Sequence, residues 1–171
     1  DKKGFDLGPA KKTCVIEITE TNLPEATYLG IRHMTTISEV TQQQFFSTNY
    51  GKLMGALAVN NITPIGAPVA LYYSWNEEDS TAEVVPAIPV GDLGDMDTEG
   101  MEIIKIPAGN VVKAAYYGPY EGGAAAHYKL GDYCKENNIE TGLVMEEYAN
   151  DPTTVSSPEE YLTNVYYYKA N

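Results

Sequence analysis

Cationic side chains are scarce in this chain of 171 residues. Lys and Arg number 11 against 24 Asp and Glu, so the formal net charge is -13 at pH 7. Nucleic-acid binding depends on clusters of Lys and Arg that neutralise phosphate groups. The composition therefore predicts that this chain makes no direct contact with DNA or RNA. The acidic stretches 76–79 and 92–99 are expected to form solvated loops.

Cysteine and long apolar runs are also scarce. Cys14 and Cys134 lie far apart with no CxxC pattern, which predicts two buried thiols instead of a disulfide framework or a zinc site. No apolar run has the length of a transmembrane helix, and no targeting peptide is visible. We therefore expect a cytoplasmic domain that has no metal and no cofactor. The first residue is Asp1, which leaves room for a leader, an anchor or a further domain upstream.

What the chain does contain is a degenerate copy of part of itself. The first copy contains, in order, Tyr50, Leu53, Asn60, Asn61, Ile62, Gly66 and Tyr72, and the second contains Tyr128, Leu130, Asn137, Asn138, Ile139, Gly142 and Tyr148. The alternative is that Asn-Asn-Ile arose twice by chance, because Asn suits helix ends. Duplicated modules commonly pack face to face, so their seam is expected to hold a ligand pocket.

The order of the elements predicts an α+β fold. We expect two pseudo-symmetric strand-helix-strand-strand modules that form an antiparallel sheet with two helices packed on it. Residues 1–12 are interpreted as a lead-in or linker, and residues 13–171 as one domain. Module one is placed at about 13–90 and module two at about 100–170.

Hydrophobic periodicity and turn residues predict the individual elements. Strands are expected at 14–19, 26–35, 68–75, 82–90, 101–106, 111–117, 143–148 and 161–169, and helices at 38–60 and 124–137. The apolar stripe of the first helix is interpreted as core packing. Pro86 and Pro89 place their strand at a sheet edge, because proline cannot donate to a ladder. The turn at 107–110 is expected to join its flanking strands as a hairpin.

Tyrosine is the outlier in composition, with 14 Tyr against 3 Phe. An aromatic ring with a polar tip suits the wall of a pocket that orients a flat or apolar ligand, although strands also favour Tyr. Glu146 and Glu147 lie on one predicted strand, so alternation sends one of them to each face. A buried carboxylate among tyrosines would bind a cation or act as a general base. His33 and His127 lie in no nucleophile pattern and are interpreted as structural.

Four motifs in the second half of the chain resemble one known family. In order they are Ile106-Pro107-Ala108-Gly109, Tyr117-Gly118-Pro119-Tyr120-Glu121, Tyr148-Ala149-Asn150-Asp151-Pro152 and Leu162-Thr163-Asn164-Val165-Tyr166. Their order is similar to that of the GyrI-like, or AraC-type, effector-binding domain, and the resemblance covers residues 26–169. It implies two pseudo-symmetric modules, in agreement with the internal repeat.

The resemblance also implies a function. Members of this family bind small lipophilic or cationic molecules, either as the sensing parts of transcription regulators or as stand-alone proteins, and some hydrolyse cyclopropane-bearing compounds. The family's pocket has a glutamate on the last strand in a T-E-I/V pattern, and Asn164 looks like that position here. An amide neither neutralises a cation nor accepts a proton as a base. Restoring a carboxylate at Asn164 is therefore expected to strengthen the binding of lipophilic cations.

The resulting hypothesis is a sensor-type domain that binds a lipophilic, aromatic or weakly cationic small molecule in a cleft between two modules, without catalysis. The residues expected to line the cleft are Tyr72, Tyr117, Glu146, Tyr148, Asn164 and Tyr166. Two alternatives stay open. One is a hydrolase in which Glu146 or Glu147 replaces the missing carboxylate, and the other is an interaction or inhibitor module that acts through its acidic surface. A fused N-terminal domain is a further expectation.

Overall fold

A computed structural model describes residues 16–150 and 152–170. Cys14 and the expected lead-in at 1–12 lie outside the described residues. The helices are α1 (Ile37–Val40), α2 (Gln43–Val59) and α3 (Ala124–Glu136), and the strands are β1 (Glu17–Leu23), β2 (Ala26–Gly30), β3 (His33–Thr36), β4 (Val69–Asn76), β5 (Thr81–Pro89), β6 (Glu102–Ile106), β7 (Gly109–Tyr117), β8 (Thr141–Tyr148) and β9 (Leu162–Lys169). Short 3-10 helices lie at Tyr120–Gly122 and Pro158–Glu160.

The two long helices end in the same way. At the end of α2, Asn60 is the C-cap, Asn61 has a φ of 55°, and the Ile62 amide donates to the Leu57 carbonyl at 2.9 Å. The end of α3 repeats each part with Asn137, with Asn138 at a φ of 54°, and with the Ile139 amide donating to the Cys134 carbonyl at 2.8 Å. This left-handed cap with its backward hydrogen bond is a Schellman motif. The Asn-Asn-Ile repeat is therefore a repeat of structure as well as of sequence.

The strands form one antiparallel sheet in the order β1-β7-β9-β8-β4-β5-β2-β6, and β3 pairs with β5. The strands on the two sides of the centre correspond in order. From the centre outwards, β4 corresponds to β8, β5 to β9, β2 to β7 and β6 to β1. The central ladder joins β4 to β8 and is symmetric about the pair Ala70–Glu146, so a pseudo-twofold axis passes through this pair. Tyr72 and Tyr148 follow these two residues at equal distance along equivalent strands. The predicted α+β fold with two pseudo-symmetric modules is confirmed.

The predicted hairpin between β6 and β7 is wrong. β6 pairs with β2, whereas β7 pairs with β1 and β9. Leu23 lies opposite Gly109 at the end of the β1–β7 ladder, and Ala26 lies opposite Ile106 at the start of the β2–β6 ladder. Both pairs fit one antiparallel register, so the second ladder continues the first. Both connecting segments have a proline at the break between the two ladders, Pro24 between β1 and β2 and Pro107 between β6 and β7. Each proline bends its segment and lacks a backbone donor. The segments β1–β2 and β6–β7 thus both cross from one module to the other, which curls the sheet.

The strand predicted at a sheet edge, β5, lies inside the sheet. It pairs with β4 on one side and with β2 and β3 on the other. Pro86 is tolerated because its backbone faces the gap between β2 and β3, where its carbonyl accepts from the Ile31 amide at 3.1 Å. Pro89 ends β5 beyond the start of β4, and its carbonyl accepts from the Ile65 amide at 3.0 Å. The prolines therefore mark interruptions of neighbouring ladders and not an edge.

Two other predicted elements are each divided in the structure. The strand predicted over 26–35 becomes β2 and β3, and between them the Arg32 guanidinium binds Glu83 at 2.7 Å and Glu102 at 2.8 Å. The helix predicted over 38–60 becomes α1 and α2. Both divisions lie in module one, so this module departs more from the predicted strand-helix-strand-strand order than module two does.

The helices cover one face of the sheet, and the other face curls around a core of its own. α2 packs through Leu53 and Leu57 against module one, and α3 packs through Leu130 and the buried Cys134 against module two. The second core contains strand residues from both ends of the sheet, namely Tyr28, Val69, Leu71, Val85, Ala87, Ile104, Ile106, Val111, Met145 and Tyr166. We call the helix-covered face the outer face and the other the inner face. Successive residues of a strand alternate between them.

Candidate functional site

Glu146 is the centre of a hydrogen-bonded group on the outer face. It lies on β8 at the seam between the modules, and its side chain is 18% exposed. Its Oε1 lies 2.6 Å from His127 Nε2 on α3. Its Oε2 accepts from the Tyr148 hydroxyl at 2.8 Å and lies 3.5 Å from the Tyr72 hydroxyl on β4. Both modules therefore contribute partners to one carboxylate.

His127 connects this carboxylate to β9. Its Nδ1 lies 2.8 Å from the Tyr167 hydroxyl. Because a carboxylate only accepts hydrogen bonds, Nε2 carries the proton that points to Glu146. A neutral imidazole then accepts from Tyr167 at Nδ1, whereas a protonated one donates from both nitrogens and forms an ion pair with Glu146. The sequence interpretation treats His127 as structural, and the structure places its ring in direct contact with both Glu146 and Tyr167.

Aromatic rings surround the polar centre. The ring centroid of Tyr148 lies 5.7 Å from that of Tyr120, 6.2 Å from that of Phe46 and 6.4 Å from that of Tyr50, all in edge-to-face orientation. Tyr120 in turn stacks on Tyr161 with centroids 4.9 Å apart. Such pairs are stabilising beyond their buried area. The loop after β7, helix α2 and the chain before β9 thus supply one aromatic wall.

A β-bulge adds the single tryptophan to this wall. The β4–β5 register shifts between Tyr72 and Ser74, so Tyr73 is an extra residue on β4. Alternation reverses beyond the bulge, and Trp75 consequently packs on the outer face with its ring centroid 5.9 Å from that of Tyr72. We define the aromatic cluster as Phe46, Tyr50, Tyr72, Trp75, Tyr120, Tyr148 and Tyr161.

The site keeps its tyrosines neutral. Burial, followed by the charge of Glu146, raises the pKa of Tyr50, Tyr72 and Tyr148 well above the usual value of 10. Burial likewise raises the pKa of Tyr167 to about 12. These hydroxyls remain hydrogen-bond donors at neutral pH, and their rings remain uncharged walls.

Three of the six residues predicted to line the cleft lie elsewhere. Asn164 and Tyr166 are on the inner face, where Asn164 Nδ2 donates to Glu147 Oε1 at 2.9 Å and the Tyr166 hydroxyl lies 3.4 Å from the same oxygen. Tyr117 ends β7 and is 54% exposed. The other three, namely Tyr72, Glu146 and Tyr148, meet on the outer face. The two adjacent glutamates point to opposite faces, as strand alternation predicted.

The repeat carried a signal for His127 that the sequence reasoning missed. When the two helices are aligned through Leu53 and Leu130, the position of Tyr50 corresponds to His127 and not to Tyr128. Tyr128 is 73% exposed, whereas Tyr50 packs against Tyr148 in the site. Tyr50 belongs to the apolar stripe of the first helix that is interpreted from the sequence as core packing, and in the structure it also lines the candidate site. Its hydroxyl donates to a β4 carbonyl at 2.7 Å, which fixes its orientation.

Other kinds of site are less well supported. Within residues 16–150 and 152–170, no group of three or more His, Cys, Asp or Glu side chains is arranged to hold a metal ion. No helix in this described part of the chain has the length and apolarity to cross a membrane. Open clefts of about 410 Å³ beside residues 92–96 and about 440 Å³ beside residues 105–110 lie away from Glu146. Rings of the aromatic cluster pack on each other, so a ligand there must replace ring–ring contacts.

Solved structures share this fold at low sequence identity. EcmrR in a cryo-EM structure of its DNA complex is 16% identical with a TM-score of 0.77; the match covers 90% of this chain and 57% of EcmrR. The crystallised EcmrR C-terminal domain is 17% identical with a TM-score of 0.72, and the match covers 92% of this chain and 99% of that domain. This chain therefore corresponds to little more than half of the whole EcmrR chain.

Two further solved structures share the fold. SAV2435 bound to tetraphenylphosphonium is 13% identical with a TM-score of 0.63, and the match covers 91% of this chain and 94% of SAV2435. A hydrolase from Listeria innocua is 11% identical with a TM-score of 0.59, and the match covers 90% of this chain and 92% of the hydrolase. None of the curated proteins compared with this chain matched it.

The family comparison is more specific than these likenesses of fold. The family described as the GyrI-like small molecule binding domain matches residues 16–167, which include both modules except the end of β9, and every residue of the aromatic cluster. The chain therefore belongs to the GyrI-like family of small-molecule-binding domains, as its four sequence motifs predicted.

Proposed function

We propose that this domain binds a lipophilic aromatic cation on its outer face, with Glu146 as the counter-charge and the aromatic cluster as the walls. The observation that carries the proposal is the position of Glu146. It is a carboxylate only 18% exposed, at the seam of two modules, with aromatic rings on both sides. The tetraphenylphosphonium bound to SAV2435, a protein with the same fold, supports this class of ligand.

The carboxylate and the rings act on different properties of such a ligand. A carboxylate in a partly desolvated site attracts a cation more strongly than one at the surface does. The faces of Tyr and Trp add a cation–π attraction within about 6 Å. Hydrogen bonds from Tyr148 and Tyr72 hold the carboxylate in place, so the counter-charge itself needs little reorganisation on binding. A bulky organic cation is favoured over a small ion, because it loses less hydration energy on entering an apolar site.

The same geometry is less suited to hydrolysis. A general base has to reach a water or substrate proton with a free lone pair. Both oxygens of Glu146 already lie against hydrogen-bonding partners, His127 at 2.6 Å and Tyr148 at 2.8 Å. Glu147 is bound by Asn164 on the other face of the sheet. We therefore propose that the domain binds and releases its ligand without turnover.

We also propose that the domain is the sensing part of a longer cytoplasmic protein that contacts DNA through another domain. The proposal draws on the 57% coverage of EcmrR, a chain solved with DNA. The charge of -13 of this chain makes it unsuited to contact DNA itself. The gene sequence upstream of Asp1 tests the idea. A helix-turn-helix segment there would support it, and a start codon immediately before Asp1 would contradict it.

Calorimetric titration with tetraphenylphosphonium tests the binding site. Glu146→Gln keeps the shape of the side chain and removes its charge, so the affinity should fall by about tenfold or more. Glu147→Gln is the matched control, because this neighbour on β8 faces the inner core; it should bind as the wild type does. Equal affinity of the wild type and Glu146→Gln would contradict the proposed site.

A further inference from the structure

We infer that His127 determines whether the site prefers cationic or neutral ligands, because its imidazolium is an internal counter-ion that a bound cation has to replace at Glu146. The inference rests on the proposed function and adds a specificity-determining residue to it. The two groups are in direct contact, with Nε2 and Oε1 2.6 Å apart and side chains 29% and 18% exposed. An organic cation and the imidazolium would compete for the same carboxylate.

The surroundings of His127 accommodate both of its protonation states. In the neutral ring, Nε2 donates to Glu146 and Nδ1 accepts from the Tyr167 hydroxyl at 2.8 Å. In the protonated ring, Nδ1 donates to the Tyr167 oxygen instead. The Tyr167 hydroxyl can then turn to the carbonyl oxygen of His127, which lies 3.5 Å away. Rotation of one O–H bond therefore allows the change of charge without movement of the heavier atoms.

The other titratable groups that face the pair are tyrosines. They are Tyr50 on α2, Tyr72 on β4, Tyr148 on β8 and Tyr167 on β9. Their pKa values are raised by burial, that of Tyr167 to about 12 and the others well above 10. These phenols stay neutral over the range of about pH 5 to 8 in which histidine changes its charge. A change of charge at the site over this range therefore does not come from these phenols.

The charge of the site follows from the state of this pair. With a neutral imidazole the carboxylate is uncompensated and attracts a cation. With an imidazolium the pair is neutral overall, and the aromatic walls accept an uncharged molecule at no electrostatic disadvantage. Protonation of His127 and cation binding are thermodynamically linked. Protonation lowers the affinity for the cation by some factor, and the bound cation lowers the affinity of His127 for its proton by the same factor. Binding of a permanent cation should thus release a proton from His127.

Two probes of similar shape separate charge from hydrophobicity. Tetraphenylphosphonium is a permanent cation and triphenylphosphine oxide is neutral, so neither changes charge with pH. For the wild type we expect the affinity for the phosphonium to rise about tenfold between about pH 5.5 and about pH 8. The affinity for the oxide should change by less than about twofold over the same range. An equal pH dependence for both probes would overturn the inference.

The two histidines of the chain provide a matched pair of variants. His127→Gln keeps a donor toward Glu146 but carries no charge, so it should bind the phosphonium with an affinity that no longer depends on pH. His33→Gln removes the other histidine, which lies 2.7 Å from Asn49 and packs against the Phe45 ring, and should keep the pH dependence of the wild type. An unchanged pH dependence in His127→Gln would overturn the role of His127, while a Glu146→Gln variant with wild-type affinity would contradict the proposed function itself.

A measurement on the wild type without added ligand avoids any folding defect of a variant. Long-range proton–nitrogen NMR spectra should show that the neutral ring of His127 carries its proton at Nε2, because the carboxylate accepts from this atom. A ring protonated at Nδ1 would overturn the inference. Calorimetry of phosphonium binding in buffers of different ionisation enthalpy should also show proton release by the wild type and none by His127→Gln.

Discussion

Ala70 lies directly opposite Glu146 in the ladder that joins the two modules. The pseudo-twofold axis passes between these residues, so the duplicated fold has two equivalent positions at its seam. Only one of them carries a carboxylate, and the methyl group at the other is completely buried. The helices differ in the same way, since α2 has Tyr50 where α3 has His127. The two modules thus share a backbone plan but provide different halves of one site.

A single carboxylate at the axis predicts a single bound cation for each chain. Calorimetric titration with tetraphenylphosphonium should saturate at about one equivalent, because a second cation would find no uncompensated charge at the position of Ala70. Two equivalents with similar affinity, both weakened in Glu146→Gln, would contradict this asymmetric arrangement.

The equivalent helix ends predict equivalent losses of stability. Asn61 and Asn138 are exposed and have positive φ angles of 55° and 54°. Replacement of either by Ala should lower the free energy of unfolding by about 1 kcal/mol, because a Cβ without a polar side chain is disfavoured in this conformation. The losses should be additive, since the two sites are distant, and replacement by Gly should have little effect. Urea denaturation measures both variants, and a loss in one module alone would contradict their equivalence.

Gly122 is required by its close approach to Tyr116. A Cβ at this position would clash with the Tyr116 hydroxyl, which donates to the Pro119 carbonyl at 2.7 Å. Gly122→Ala should cost about 1 to 3 kcal/mol of unfolding free energy. It should also weaken phosphonium binding, since the displaced turn carries Tyr120 of the aromatic cluster.

The clash can be relieved by a second substitution. Tyr116→Phe removes the oxygen and leaves the next ring atom 3.2 Å from the added Cβ. The double variant should therefore be more stable than Gly122→Ala alone. Simple additivity of the two single losses in urea denaturation would show that the contact is not the cause.

The buried tyrosines predict a loss of stability at alkaline pH. Burial raises the pKa of Tyr28 and Tyr167 to about 12 and those of Tyr50, Tyr72 and Tyr148 well above 10. The folded state therefore holds these protons more tightly than the unfolded state does. This contribution is complete below about pH 10 and is lost progressively as the pH rises above that value.

Phenolate absorbance measured together with circular dichroism checks the alkaline prediction. Part of the tyrosine signal of the folded protein should appear only as the protein unfolds, at a pH above that of the chain in concentrated guanidinium chloride. Complete titration of all 14 tyrosines while the circular dichroism stays unchanged would contradict the burial of these hydroxyls.

The inner-face position of Asn164 predicts that a carboxylate there does not create a cation site. Asn164 is 7% exposed and donates to Glu147 at 2.9 Å. Asn164→Glu removes this donor and places two carboxylates together, so the free energy of unfolding should fall by about 2 to 4 kcal/mol. Affinity for tetraphenylphosphonium should change by less than about twofold in the fraction that remains folded. A marked gain in affinity would instead support the expectation from the family's last-strand pattern.

Local signals in the sequence were sufficient for most elements and for the family. Hydrophobic periodicity located both long helices, and the paired Asn residues located their C-terminal ends, because caps depend on residues adjacent in the chain. Alternation located the strands, and it correctly sent Glu146 and Glu147 to opposite faces. The excess of tyrosine over phenylalanine indicated an aromatic site, and four ordered motifs indicated the GyrI-like family, which the family match confirmed.

Strand pairing and the composition of the site were decided by tertiary structure. Pro86 indicates a missing donor, but only the fold shows that this donor would face the gap between β2 and β3 instead of solvent. The bulge that turns Trp75 to the outer face depends on the register with β5. His127 and Glu146 are distant in the sequence and meet because α3 packs on the outer face of the sheet, where the His127 ring reaches side chains of β8 and β9. Such long-range relationships arise from packing and hydrogen bonding across the whole sheet, and no local pattern specifies them.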